Sequence, residues 1–151
     1  MKLQIATHLA IYALLELAAN PERQLSVGEI GEKYSVSTHH LAKVMHTLGR
    51  ANLVRSVRGA GGGYQFSGNA RRTTLLDIVQ LFENFAEENP AEGRLGETTE
   101  EGRALGQVLD EVDDIARATL GSITIATMLK LIERRRDQTP EPSEKQSAAS
   151  A

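Results

Sequence analysis

The chain has 151 residues, 40% of them apolar, with no Cys, no Trp and a net charge of −3. That length suits one compact domain or a small domain with an appendage. Without thiols the chain forms no disulfide and offers no cysteine ligand to zinc or an iron–sulfur cluster.

Residues 3–19 predict a helix. Leu3, Ile5, Leu9, Tyr12, Ala13 and Leu17 line one side, while Ile11, Leu14 and Leu15 extend the apolar surface nearly all round. Such a helix is buried between other elements. Glu16 and the lack of a cleavage motif argue against a signal peptide. No run of about 18 apolar residues exists, so no membrane span is expected and a cytoplasmic protein is read. Asn20-Pro21 stops the first helix. Ser26 with Glu29 forms a capping box for a short helix, Val27 to Tyr34. Ser37 caps a second helix, Thr38 to about Ala51, whose Leu41, Val44, Met45 and Leu48 face inward. Two short helices joined by so short a turn make a helix-turn-helix unit. Leu53–Val57 and Tyr64–Phe66 flank a glycine-rich turn and predict a hairpin, so the whole is a winged helix. Thr74 caps a helix reaching Phe85, and AEENPAEGRLGETTE, residues 86–100, is an acidic loop. Thr98 with Glu101 predicts a capping box for a long helix to about Leu120. Leu105, Val108, Leu109, Val112, Ile115, Ala116 and Leu120 recur along it at three–four spacing, which suits a dimer interface. Ser122 or Thr124 caps a last helix, Ile125 to about Arg135, and residues 137–151 read as a disordered tail. The fold class is therefore mainly α: a winged helix-turn-helix domain (1–85), the acidic loop (86–100), and a dimerisation helix with a final helix (101–136).

Charge is distributed unevenly. Lys33, Lys43, Arg50, Arg55, Arg58, Arg71 and Arg72 fall between residues 33 and 73, where no Asp or Glu occurs. A basic segment inside an acidic chain marks a polyanion-binding face, and the plainer alternative is a solvated basic surface. Gly59, Gly61, Gly62 and Gly63 crowd the hairpin turn. A nucleotide loop would close on Gly-Lys-Ser/Thr, whereas Tyr64-Gln65 stands there. A dinucleotide fingerprint would open a helix, whereas this stretch enters a strand. A wing tip fits better: its backbone N–H groups meet DNA phosphates, and Arg55, Ser56 and Arg58 flank it. A tight hairpin without a ligand is the structural alternative, although one or two glycines would suffice for it. Ser37, Thr38, His39, His40 and Lys43 lie at the N-terminal end and outward face of the second helix of the pair, where recognition helices read the major groove. Adjacent histidines diverge by about 100° on a helix, so His39 and His40 are read as DNA-facing or solvated and not as a metal site. No triad, paired carboxylates or ligand cluster suggests an enzyme.

The stretch SVSTHHLAKVMHTLGRANLVRSVRGAGGGY (residues 35–64), the opening MKL and ITIATMLKLI (residues 123–132) resemble the Rrf-two family of transcription regulators, of the IscR and NsrR type. The resemblance spans roughly residues 1–136. It implies a homodimeric repressor on a palindromic double-stranded DNA operator, with Thr38, His39, His40 and Lys43 in the major groove. It places Arg55, Ser56, Arg58 and the glycines, with Tyr64 closing the motif, at the minor-groove wing. Many members hold an iron–sulfur cluster through three cysteines in the loop before the long helix, and here that loop has none. No cofactor is expected. His8 falls near a ligand position of some cluster-bearing relatives and is read as a core or pocket histidine, with a ligand for haem or another metal as the alternative. A pocket between the first helix, the loop and the long helix could take a small-molecule effector. The competing reading is a cluster-less interaction protein of the same fold, acting through a protein partner.

Overall fold

The computed structural model describes residues 1–83 and 93–139. Its elements are α1 (Ile5–Ala19), α2 (Val27–Tyr34), α3 (Thr38–Arg50), β1 (Val54–Val57), β2 (Gly63–Phe66), α4 (Leu75–Val79), α5 (Glu100–Ser122) and α6 (Ile125–Gln138).

The apolar surface of α1 makes it the centre of the fold, packed against α3, α4, α6 and β2. Leu9, Leu14 and Leu17 are buried there with Leu41, Met45, Leu48, Ile78 and Ile125. One stripe of α1 stays outside the core. Ile5 and Tyr12, expected inward, are exposed because they share a helical face with His8 and Glu16, and Tyr12 stacks on Tyr34 at 4.9 Å. No local side chain caps α1. Glu83, far along the chain, does so instead: its Oε1 accepts from the Gln4 backbone N–H at 2.6 Å and from the Thr7 hydroxyl at 2.5 Å. The bond from Thr7, and then that from Gln4, hold the Glu83 carboxyl below the usual carboxylate range.

Local caps form α2 and α3. Ser26 Oγ accepts the Glu29 N–H at 3.1 Å while the Glu29 carboxylate accepts the Ser26 N–H at 2.7 Å. Ser37 Oγ accepts the His40 N–H at 3.2 Å. The hairpin pairs Val54 with Phe66 and Val57 with Gly63. Leu25 adds a one-residue third strand through reciprocal backbone bonds with Tyr64, at 3.0 and 2.8 Å.

Three expectations are corrected. The helix read from Thr74 to Phe85 stops at Val79, although Thr74 caps it as expected. Tight bonds from Leu81 to Ile78 and Phe82 to Val79 close the turn, and Glu83 is tied to α1. Thr99, not Thr98, caps α5, because Gly96 turns the chain at φ +77° and the Thr99 hydroxyl bonds both Gly96 O and the Gly102 N–H. The final helix is capped by Thr124 and runs past Arg135 to Gln138, into the segment read as tail. It ends just before Pro140, which disfavours helical geometry in the residue preceding it. The first part of the acidic loop and the tail from residue 140 lie outside the described residues.

A second backbone bridge joins Thr74 and Thr124. Leu75 N–H donates to Ile123 O at 2.8 Å, Ile125 N–H to Thr73 O at 2.9 Å, and Ala126 N–H to Ala70 O at 2.8 Å. This clip fastens the α5–α6 arm to the winged domain.

Candidate nucleic-acid interface

On α3, Thr38, His39, His40 and Lys43 are all exposed, opposite the buried Leu41–Leu48 stripe. Ser37 is exposed too, but its hydroxyl is engaged in capping the helix. On the wing Arg55, Ser56 and Arg58 are exposed. Tyr64 is half-buried against the core and its backbone is paired with Leu25, so it fixes the wing to the domain.

The four glycines have reasons inside the molecule. Gly59 and Gly61 adopt φ of +116° and +76°, which side chains with a Cβ disfavour. A Cβ on Gly62 would sit 2.6 Å from Val57 O, and one on Gly63 would sit 2.5 Å from Leu25 O. Gly62 also gives its N–H to Gly59 O at 2.9 Å. The expectation that one or two glycines suffice for this hairpin is therefore corrected, because the tight tip and the third strand together use all four.

The basic window loses one cation and keeps the others. Lys33 pairs with Glu16, which also accepts from the Tyr34 hydroxyl at 2.6 Å. Burial pushes the Glu16 carboxyl up, but these two bonds outweigh it and hold it below its usual value. Burial and the bond to Glu16 push the Tyr34 phenol up. Among the described residues, no ion pair involves Lys43, Arg50, Arg55, Arg58, Arg71 or Arg72, and all six are exposed.

Gln65, absent from the sequence expectations, is buried on β2 and bonded to Arg55 and to Glu22 O. A lone Gln in a strand carries no sequence signal, since its partners come from elsewhere in the chain.

His8 is corrected. It is exposed, with Nδ1 3.0 Å from Gln4 O and its ring near Tyr12, and so is not a core residue. It lies on the outer stripe of α1 with Ile5 and Tyr12. Among the described residues no group of three or more His, Cys, Asp or Glu is placed to hold a metal ion.

Along α5, Leu105, Val108, Leu109, Val112 and Ile115 are 47–67% exposed. Ala116 and Leu120 are half-buried, and Leu120 packs on its own core. At the start of α5, Arg94 donates to Gly106 O at 3.2 Å and pairs with Asp110 at 2.6 Å, which lowers the Asp110 carboxyl. No helix among the described residues is long and apolar enough to cross a membrane.

A helix-turn-helix with a basic wing and an appended helical arm defines a winged-helix transcriptional regulator. The profile of the Rrf2 family, described as Iron-dependent Transcriptional regulator, matches residues 3–131. The chain belongs to this family, whose members are transcriptional regulators and not enzymes. It is 50% identical over 139 residues to a protein of Rhodopseudomonas palustris named as the HTH-type transcriptional regulator BadM, covering 92% of this chain and 88% of that one. Its structure is similar to T. potens IscR, with a TM-score of 0.72 at 28% identity over 90% of this chain and 91% of that one. It is also similar to the oxidized form of Staphylococcus aureus CymR, with a TM-score of 0.70 at 27% identity over 86% and 97% of the two chains. The family's description speaks of iron, and this chain's donors do not fit a thiolate-bound cluster, since it has no Cys.

Proposed function

We propose that this regulator is a homodimeric repressor that binds a palindromic operator through α3 and the wing, without an iron–sulfur cluster. One observation carries the DNA-binding reading: the cations on the outer side of α3 and on the wing, Lys43, Arg55 and Arg58, are exposed, and none of them forms an ion pair among the described residues. Phosphates attract such a face, and base edges are read by the residues between the cations. Thr38, His39 and His40 supply the reading groups on α3, and Lys43, Arg55 and Arg58 the phosphate or minor-groove contacts. The exposed apolar stripe of α5 supports the dimer, because five large hydrophobic side chains on one arm are costly to leave in water. Repression then follows from occupancy of a promoter and needs no further surface.

Arg58→Ala tests this reading on the DNA upstream of the protein's own gene. Binding is expected to weaken about tenfold, and the dependence of log K on log salt to flatten by about one. Circular dichroism should be unchanged, because Arg58 is exposed. Undiminished binding would remove the wing from the interface.

A further inference from the structure

We propose that Gln65 is a positioning residue for Arg55, holding its guanidinium ordered and fully charged for a DNA phosphate; this rests on the DNA-binding reading above. Arg55 and Gln65 are directly opposed across β1 and β2, so their side chains stand on one face of the ribbon. Gln65 Oε1 accepts from Arg55 Nε at 3.1 Å and from Nη2 at 2.7 Å. Gln65 Nε2 donates to the Glu22 carbonyl at 3.0 Å, in the turn between α1 and α2. The amide is therefore held at both ends, and it is only 8% exposed beneath an exposed arginine.

This arrangement has two chemical consequences. Arg55 spends two of its five N–H donors on Gln65 and keeps three for a ligand. Its rotamer entropy is given up on folding and not on binding, so less is lost when DNA docks. The acceptor is also neutral. A carboxylate at position 65 would bind the guanidinium but cancel its charge and lose the bond to the Glu22 carbonyl, whereas an amide makes both bonds and leaves the charge for a phosphate. The same amide ties the wing to the α1–α2 turn, so the direction of Arg55 is set by the body of the domain and not by the glycine-rich tip.

The test uses the whole 151-residue chain. Its binding to a mixed-sequence duplex of about 30 base pairs is followed by fluorescence anisotropy across a salt series, where phosphate contacts dominate. Gln65→Leu, Arg55→Ala, the double variant and Gln65→Glu are compared with the wild type. Gln65→Leu is expected to weaken binding about three- to tenfold, and to add nothing once Arg55 is alanine. Gln65→Glu, which keeps the acceptor for Arg55 but loses the donor to Glu22, is expected to flatten the salt dependence by about one, as Arg55→Ala does. That variant decides the matter if the leucine variant fails to fold. An equal loss with and without Arg55 would make Gln65 merely structural and overturn the proposal, as would an Arg55→Ala variant that binds like the wild type. Failure of the wild type to bind the duplex at low salt would overturn the DNA-binding reading itself.

Discussion

At Gly61 an added Cβ meets nothing within 4 Å, whereas at Gly63 it lands 2.5 Å from the Leu25 carbonyl oxygen. The first substitution costs only backbone strain at positive φ, about 1 kcal/mol. The second drives a wedge between β2 and the Leu25 strand and should cost about 2–3 kcal/mol. Thermal melts of Gly61→Ala and Gly63→Ala check the difference. Equal melting temperatures would remove Leu25 from the sheet. Individual residues were legible in the sequence where their partners are near. Ser26, Ser37 and Thr74 declare themselves as caps because each meets a group three residues on. Glu83 does not, because it caps a helix that starts near the other end of the chain. Gln65 is hidden for the same reason, since its bond to Glu22 crosses from the hairpin to a distant turn.

Among the elements, α1 to α3 and the wing strands lie within a residue or two of their expected bounds, because periodicity, caps and glycines agree there. α4 is shorter than its apolar stripe suggests, since the chain leaves the helix to bring Glu83 to α1. α5 has a hydrophobic stripe that the described residues of its own chain leave largely uncovered. Val112 is 55% exposed, so an aspartate there should leave the isolated chain intact and place a charge in the proposed dimer seam. Both copies carry the change, because a two-fold interface repeats every residue. Val112→Asp is therefore expected to weaken dimerisation by roughly a hundredfold while helical content stays constant. Sedimentation velocity checks it, and a variant that sediments like the wild type would move the interface elsewhere.

For the molecule as a whole, seven of the 17 basic residues and none of the 20 acidic ones lie between residues 33 and 73. The remainder of the chain is net acidic, which on balance would favour docking of DNA through the basic segment. The start of α5 is held by Arg94 on Gly106 O and Asp110, and the chain has no Cys to supply a thiolate-bound cluster. DNA affinity is accordingly expected to be unchanged after treatment with a metal chelator, measured on the same upstream fragment. A chelator-sensitive affinity, restored by iron, would show that this chain holds iron through ligands other than thiolates. The Thr74–Thr124 clip adds a mechanical consequence. Three backbone bonds join the base of a lever roughly 35 Å long to the reading head. A joint so bonded would resist bending, and a small displacement at the far end of α5 would then reach α4, and through it α1, as torque. In a pair of chains joined along α5, the two heads would be set by the angle between their levers, and a change of a few degrees would alter the span they reach.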